Sequence, residues 1–258
     1  MPINQIATAT PALDRGLDVL EILDSRPAGM TLTEISSAIG CPKNSTSRLI
    51  ETLVAREYVA KDRVTQQFRL TGKLLRLGQP RVGDMSLVEC ALETMRSLRD
   101  AVGETVQLGI PCEDEGVLIE QVESIRSIRV VVNLGLRFQL HNNAPGKVLL
   151  AFQPDDVREQ LIRRIVLARS TERTITSKEL LRKECQTAVL QGYSTDWGEA
   201  DEGIHCVAVP VRDRHQTVDA TIWVSAIAGR MPKRMFAAVA AEVKKAAAEI
   251  EKKRIACE

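Results

Sequence analysis

The chain has 258 residues, more than most small domains use, which predicts two units of unequal size. Its 35 lysines and arginines against 34 aspartates and glutamates argue against a chain that coats nucleic acid along its whole length. Six cysteines are scattered without a CxxC pair, and no apolar run approaches the roughly 18 residues of a membrane span. With an N-terminus that lacks a signal-peptide pattern, these features predict a cytoplasmic protein without a zinc ribbon.

The chain begins with the pattern of an amphipathic helix. Thr10 and Pro11 suit a helix N-cap and first helical position. Apolar residues then recur at i, i+4 and i+7, in Leu13, Leu17 and Leu20. This spacing predicts one continuous apolar stripe.

A helix-turn-helix pattern follows. Thr31 and Glu34 form a capping box that opens a second helix, Gly40 ends it, and a third helix begins at Pro42. Two helices joined by about three residues around a glycine are typical of the motif. The apolar stripe of the third helix is predicted at Leu49, Ile50, Leu53 and Val54. Its polar face carries Lys43, Asn44, Ser45, Ser47, Arg48 and Glu51.

Two β-prone runs, 58–60 and 68–70, flank a polar loop and predict a two-stranded wing. Residues 41–76 carry eight basic and three acidic side chains, whereas residues 1–40 carry two and five. A charge imbalance alone is usually an ordinary solvated face. Combined with the helix-turn-helix spacing and the wing, it indicates a DNA-binding domain over residues 1–76.

The remainder of the chain predicts an α+β fold. Residues 77–103 carry helical spacing, are interrupted at 78–80, end at Gly103, and form a predicted helical linker. From residue 104 the apolar period is two, which predicts a hairpin over 106–110 and 117–122. Further strands are predicted over 128–132, 204–211 and 218–225, and further helices over 146–152, 155–167, 177–191 and 233–253. This order favours an antiparallel sheet with packed helices in a domain spanning 104–258.

The segments ALDRGLDVLEIL, TLTEISSAIGCPKNSTSRLIETL and FRLTGKLLRLG follow in an order and spacing that resembles the IclR family of transcriptional regulators. HNNAPGKVLLAF and GYSTDWGEADEGIHCVAVPVRD extend the resemblance over nearly the whole chain, although Arg212 replaces the usual aromatic residue or histidine. The resemblance implies a winged helix-turn-helix and a GAF-like sensor domain that binds a small effector, often an organic acid. It also implies a homo-oligomer, a dimer or a dimer of dimers, that holds a double-stranded DNA operator.

By this resemblance the third helix is the recognition helix, and its residues expected in the major groove are Lys43, Asn44, Ser45, Ser47 and Arg48. Asparagine pairs with adenine, lysine and arginine reach guanine, and hydroxyls hold phosphates, so the chemistry is suitable. In the wing, Lys61 and Arg63 are expected to contact phosphates. The wing tip has no glycine, so no base contact is assigned to it.

Strand alternation predicts the lining of the effector pocket. Valine and isoleucine faces suit the core, while Cys206, Trp223 and Ser225 point to the other side and suit a concave, partly polar site. Asp196, expected in the preceding loop, can accept hydrogen bonds from an effector or water. At the start of a helix, backbone N–H groups can bind a carboxylate. The residues expected to do so lie in the segment 142–146 and include Asn143, Ala144 and Gly146.

By the resemblance, Trp223 stands at a place where many members of the family carry a small polar residue. An indole offers one N–H donor and a large flat surface, which predicts one of two outcomes. Either the effector is flat and partly apolar and stacks on the ring, or the side chain largely fills the pocket. Packing at a subunit interface is the alternative.

The same residues also suit other classes of protein. Asp196, His205 and Cys206 are the ingredients of a nucleophilic triad in an enzyme that processes a small acid. Neighbours on a strand face opposite sides, so His205 cannot activate Cys206, and no catalytic residue or cofactor is predicted. A metal held by Asp196, Cys206 and His141 has weak support from spacing, and Cys206 suits a small buried hydrophobe. A third class is an interaction protein whose helix-turn-helix no longer binds DNA.

Overall fold

A computed structural model describes residues 10–78, 81–82 and 85–256 of the chain. It divides the protein into two compact units, Met1–Gly78 and Gln79–Glu258. The N-terminal stretch 1–9 and most of the predicted interruption at 78–80 lie outside the described residues. Each unit is described by itself.

The first unit consists of short helices and a two-stranded ribbon. Its helices are α1 (Pro11–Asp24), α2 (Leu32–Ala38), α3 (Lys43–Ala55) and α4 (Lys73–Gly78). Its strands β1 (Val59–Lys61) and β2 (Phe68–Leu70) pair antiparallel. The capping box is confirmed, because the Thr31 hydroxyl accepts the Glu34 N–H and the Glu34 carboxylate accepts the Thr31 N–H. The helix-turn-helix and the wing therefore have the predicted order.

The core of this unit differs in part from the predicted apolar stripes. On α1, Leu13 and Leu17 are 62% and 49% exposed, and Thr10 makes no side-chain cap. The helix instead turns Val19 and Leu23 into the core, where they pack with Ile50 of α3. The spacing i, i+4, i+7 identified the helix but not its buried side, because a second apolar row runs beside the first.

The second unit is built on a six-stranded antiparallel sheet in the order β7-β6-β5-β10-β9-β8. Its strands are β5 (Thr105–Cys112), β6 (Glu115–Val122), β7 (Arg137–Gln139), β8 (Ser194–Trp197), β9 (Ile204–Arg212) and β10 (Val218–Ile227). A small separate ribbon pairs β3 (Arg81–Val82) with β4 (Met85–Ser86). The helices are α5 (Leu87–Val102), α6 (Ala144–Ala151), α7 (Asp155–Arg164), α8 (Lys178–Gln191) and α9 (Phe236–Ala256), the last preceded by a 3-10 turn at Lys233–Met235. The α+β class is confirmed.

Helices cover both faces of the sheet. The helix α5, which the sequence assigned to a linker, packs against α9, β5 and β6 and ends at Gly103 with φ 72°. The helix α6 lies against β8, β9 and β10, and its residues Ala144 and Val148 pack on Cys206, Ala208 and Trp223. The strand face with the valines of β9 is thus turned away from α6, as alternation predicts.

Two expectations about strands are wrong, and two short strands were missed. The segment 128–132 forms no strand, because side chains bond its backbone: the Thr105 hydroxyl donates to the Val130 carbonyl at 2.8 Å, and Gln121 bonds Val132. The short strands β7 and β8 were not predicted. As a consequence Asp196 lies within β8 and not in a loop. Among the described residues no helix combines the length and hydropathy needed to cross a membrane.

Candidate nucleic-acid interface and effector site

The turn between α2 and α3 is held by buried hydroxyls. The Ser36 hydroxyl donates to the Cys41 carbonyl at 2.6 Å. Thr46, fully buried on α3, donates to the carbonyls of Cys41 and Pro42. These bonds satisfy backbone groups at the helix start and fix the angle at which α3 leaves the turn. The polar face of α3 is thereby presented away from the core.

The structure leaves most of the predicted recognition residues exposed on α3. Lys43, Asn44 and Ser45 form its first turn, and Arg48 follows one turn later. Ser47 differs, since it is half-buried and its hydroxyl donates to the Glu51 carboxylate at 2.9 Å. The exposed set offers an amide, a hydroxyl and two cations near the start of the helix, which is the chemistry that base edges and phosphates require.

The wing carries the two predicted phosphate contacts on its exposed side. Lys61 ends β1 with its ammonium 5.5 Å from the centre of the Phe68 ring, and Arg63 lies in the loop. Asp62 orders this loop by accepting the N–H groups of Val64 and Thr65. In place of a glycine, Gln66 takes the left-handed conformation with φ 58°. The loop therefore turns without the residue that the sequence lacked.

The predicted effector site begins at the N-terminus of α6. Asn143 is the N-cap, and its side-chain oxygen accepts the Gly146 N–H at 2.8 Å. That bond uses the Gly146 N–H, which was expected to meet a ligand, and Pro145 has none. The Ala144 N–H is then the first-turn donor without an intrahelical acceptor. Gly146 itself serves packing, because a Cβ there would lie 2.1 Å from the Gln139 carbonyl oxygen.

Polar side chains run across the strands beneath α6. The strand register aligns Asp196, Cys206 and Ser225 on neighbouring strands, and the Cys206 sulfur lies 3.2 Å from the Ser225 hydroxyl oxygen. Beside Ala208 on the same face lies Ser194, fully buried, whose hydroxyl has no hydrogen-bond partner in the described part of the chain. The structure brings together three of the predicted residues and adds an unsatisfied hydroxyl.

The two glutamines of the next strands were missed by the sequence analysis. The Ser225 hydroxyl donates to the Gln107 side-chain oxygen at 2.6 Å, and the Gln107 amide donates to Gln121 at 2.8 Å. Gln121 then donates to the Val132 carbonyl and accepts the Val132 N–H. Alternation would have placed Gln107 on this face, since Val106 and Leu108 face the core. The long reach of a glutamine to a loop was not foreseeable.

Trp223 is packed inside its own unit, with 5% of its surface exposed. Its ring meets Phe138 edge-on at a centroid distance of 5.5 Å. Gly109 and Gly116 make room for the two rings, because a Cβ at Gly116 would lie 2.1 Å from Phe138 and one at Gly109 would lie 3.1 Å from Trp223. Burial within the chain disfavours the interpretation of Trp223 as a subunit-interface residue.

A buried ion cluster lies next to the polar row. Lys147 of α6 is fully buried, and its ammonium donates to Glu199 at 2.7 Å and to Glu184 at 2.9 Å. Burial acts to lower the pKa of Lys147, but the two carboxylates outweigh it and raise the pKa, so the ammonium stays charged. The cluster ties α6 to α8 and to the turn after β8. Sequence patterns gave no signal for a charged residue in this position.

Asp196 carries an unusual carboxyl group beside this cluster. Its oxygen accepts the Glu199 N–H at 2.6 Å, and the residue is 1% exposed. Burial, reinforced by the charge of Glu199, raises the pKa of Asp196 to about 7, although the Glu199 N–H and Lys147 oppose the rise. The site therefore holds a carboxyl group that gains and loses its proton near neutral pH.

The geometry does not suit nucleophilic chemistry at Cys206. Burial raises the pKa of the Cys206 thiol far above its usual range, so the sulfur stays a protonated donor. His205 is on the opposite strand face, where its Nδ1 bonds the Met231 carbonyl and its ring meets Phe236. Within the described residues, no three metal-ligating side chains cluster as a metal ion would require.

Comparisons with known proteins agree with this architecture. Residues 12–63 match the IclR helix-turn-helix domain, and residues 79–252 match the bacterial transcriptional regulator IclR C-terminal domain. The transcriptional regulator KdgR of Escherichia coli is 36% identical over 194 residues, which cover 75% of this chain and 74% of KdgR.

Two solved structures share the fold. A putative transcriptional regulator from Rhodococcus sp. RHA1 is 26% identical, with a TM-score of 0.83 over 96% of this chain and all of its own. An IclR homologue from Microbacterium hydrocarbonoxydans, complexed with 4-hydroxybenzoate, is 22% identical, with a TM-score of 0.77 over 95% of this chain and 99% of its own. The second likeness establishes the fold alone.

A winged helix-turn-helix joined to a sheet domain with a buried polar row defines a DNA-binding transcriptional regulator. The family matches over both units place the chain in the IclR family. The alternative of a small-acid-processing enzyme is set aside, because the matched families and relatives are regulators. DNA binding and the regulator class thus follow from membership of the family.

Proposed function

We propose that this regulator binds its operator as a homo-oligomer, in the cytoplasm, through α3 and the wing, and that a small organic acid controls the binding. Lys43, Asn44, Ser45 and Arg48 would enter the major groove, with Ser47 supporting through Glu51. Lys61 and Arg63 would contact phosphates. The exposed side chains of Lys43, Asn44, Ser45 and Arg48 on α3 support this assignment.

One observation carries the effector part of the proposal: a polar row lies buried between the sheet and α6, and Ser194 on it has an unsatisfied hydroxyl. Buried polar groups ordinarily have partners, so an unpaired one points to a ligand. The acid's carboxylate would sit at the N-terminus of α6, near Asn143 and Ala144, where the helix dipole favours negative charge. Asp196, Cys206, Trp223 and Ser225 would contact the rest of the molecule.

Trp223 would set the shape of the acid. Its indole, braced by Phe138, offers a flat apolar surface beside the polar row. A flat acid that stacks on this ring fits better than a small hydrophilic one. The Microbacterium homologue is complexed with an acid of this kind, 4-hydroxybenzoate. Replacing the tryptophan, as in Trp223→Ser, would weaken the binding of aromatic acids and would allow small acids to bind.

Homo-oligomerisation is supported by α1. Leu13 and Leu17 leave an apolar row on its outer side, 62% and 49% exposed within the single chain. Two DNA half-sites are bound by two recognition helices, so a dimer matches a two-fold operator. A dimer of dimers is compatible with the same contact.

The test is a binding titration on the DNA upstream of the protein's own gene, at several salt concentrations, with and without a panel of small carboxylic acids. We expect specific binding whose affinity falls steeply with salt, and at least one acid that changes the affinity and raises the melting temperature. An absence of specific binding would refute the DNA part. Specific binding that no acid alters would refute the effector part.

A further inference from the structure

We infer that Gln107 and Gln121 fix the hydrogen-bonding polarity of the effector site, so that Ser225 accepts and the site selects acids that carry a hydroxyl group. The inference rests on the proposed function and narrows it to hydroxy acids. Neither glutamine stands out in the sequence, and both act through the polar row beneath α6.

The order of the hydrogen bonds starts at the backbone of Val132. Its N–H donates to the Gln121 side-chain oxygen at 3.2 Å, and its carbonyl accepts from the Gln121 amide nitrogen at 3.3 Å. A backbone N–H only donates and a carbonyl only accepts, so this pair of bonds admits one orientation of the Gln121 amide. The same Gln121 oxygen is then the atom that faces Gln107.

The orientation of the Gln121 amide determines the orientation of each later group in the row. The Gln107 nitrogen must face the Gln121 oxygen, at 2.8 Å, which leaves the Gln107 oxygen to face Ser225. The single hydroxyl proton of Ser225 is therefore committed to Gln107, at 2.6 Å. The Cys206 thiol, held protonated by burial, must be the donor in its 3.2 Å contact with Ser225.

Ser225 is left with acceptor capacity and no proton to give. Its neighbour on β5, Thr105, cannot supply one, because the Thr105 proton goes to the Val130 carbonyl. At a pH above the pKa of Asp196, that carboxylate is also only an acceptor. A ligand group that contacts Ser225 must therefore donate, as an alcohol or phenol does and a carboxylate does not. The carboxylate is thereby directed to the α6 N-terminus.

Matched pairs of acids test this selectivity at pH 8: glycolate with acetate, lactate with propionate, and 4-hydroxybenzoate with benzoate. In each pair the carboxylate is constant and one hydroxyl differs. For the acids that bind the parent protein, we expect the hydroxy acid to bind about tenfold more tightly or better, since a site built for a hydroxyl penalises its absence. Calorimetric titration measures the ratio within each pair.

The variant Gln121→Leu removes the fixed orientation while keeping an apolar stem. Gln107 can then rotate its amide, Ser225 regains a proton to donate, and we expect the preference within each pair to fall to about twofold or less. The control Gln121→Glu loses the donor to the Val132 carbonyl but keeps an oxygen that accepts from the Val132 N–H and from Gln107, so it should keep the preference. If the parent binds both acids of each pair equally, or if Gln121→Leu keeps the full preference, the inference is overturned. The proposed function would stand in either case.

A measurement without ligand tests the fixed orientation itself. Hydrogen exchange of the Val132 amide should be faster in Gln121→Leu than in both the parent and Gln121→Glu, because the amide is bonded to a side-chain oxygen that only Gln121→Leu removes. Equal exchange in all three proteins would remove Gln121 as the source of the order. If no acid of the panel binds the parent, the proposal of a small-acid effector is refuted together with the inference. This result differs from equal binding within the pairs, which refutes only the inference.

Discussion

A single arginine tests the orientation of the recognition helix. Arg48 lies exposed on α3, one turn after Lys43 and Asn44. If it reads a base, Arg48→Ala should weaken operator binding by about 1 to 3 kcal/mol and leave binding to random DNA less affected. Folding should be unchanged, because the side chain is exposed. Titrations of both proteins on the same two duplexes measure the difference.

The control for Arg48 is another exposed arginine of the same unit. Arg26 follows α1, in the acidic half of the unit, and Arg26→Ala removes the same charge. We expect its operator affinity to match the parent within about twofold, the size of a weak long-range charge effect. Equal losses in the two variants would reveal a general charge effect and reject base reading by Arg48.

The buried carboxyl of Asp196 predicts a pH dependence of stability. Its pKa in the folded state is raised to about 7 by burial, whereas in the unfolded chain it is near the ordinary value of an aspartate. Between these values the folded protein binds the extra proton, so stability falls as the pH rises from about 4 to about 7 and is level above that. Each unit of pKa is worth about 1.4 kcal/mol.

The variant Asp196→Asn should lose this slope. Its amide oxygen can still accept the Glu199 N–H, but it carries no charge to bury, so the variant should gain stability over the parent as the pH rises from 5 to 8. Denaturant unfolding at a series of pH values gives the difference. The exposed neighbour Glu202, changed to glutamine, should follow the parent. Parallel curves for Asp196→Asn and the parent would contradict the raised pKa.

Among the elements, α6 depends on a glycine at Gly146. A Cβ at Gly146 would lie 2.1 Å from the Gln139 carbonyl oxygen and 2.8 Å from the Leu140 Cα, and backbone atoms cannot give way as a flexible side chain can. Gly146→Ala should therefore displace α6 and destabilise the second unit by about 2 kcal/mol or more. Thermal unfolding followed by circular dichroism measures the loss.

Gly16 of α1 provides the opposite case. Nothing lies within 4 Å of a Cβ at this helical glycine, so Gly16→Ala should be neutral or stabilise by about 0.5 to 1 kcal/mol through the lower entropy of the unfolded chain. The two substitutions add the same methyl group to a helix. If Gly146→Ala also proved neutral, α6 would not be held as closely as its contacts with the preceding loop indicate.

Element type could be predicted wherever a local signal was strong. The capping box at Thr31 and the alternation along β5 and β6 are local patterns, and both appear in the structure. The strands β7 and β8, with three and four residues, are too short to show a period. Their pairing comes from the neighbouring strand, which no local pattern reports.

Within the candidate site, strand alternation again made it possible to predict which side chains share a face of the sheet. Cys206 and Ser225 were placed together correctly because strand parity fixes which face a side chain takes. The ion pair of Lys147 with Glu199 joins residues far apart in sequence, and it depends on the packing of α6 against β8. Tertiary contacts of this kind leave no trace in spacing or composition.

At the scale of the whole molecule, basic side chains are distributed unevenly along the chain. Its net charge is only +1, yet basic side chains concentrate on α3, the wing and the residues that follow. Leu13 and Leu17 on α1 are exposed apolar side chains that lie outside this basic segment of the sequence. A basic segment and an exposed pair of leucines within one small unit are compatible with the proposal that the protein binds DNA as an oligomer.

The apolar row on α1 predicts how assembly and DNA binding are coupled. Leu17→Lys places a charge in the row, which would be desolvated in any contact between two copies, so we expect a smaller assembly. Operator affinity should then fall at least tenfold, because two recognition helices no longer bind as one unit. Since lysine attracts DNA, the fall cannot come from charge repulsion. Leu190→Lys makes the same change at a residue 89% exposed on α8 and should alter neither property. Analytical ultracentrifugation measures the size of the assembly, and operator titration measures the affinity. If the assembly of Leu17→Lys has the same mass as that of the parent, α1 is excluded from the oligomer contact.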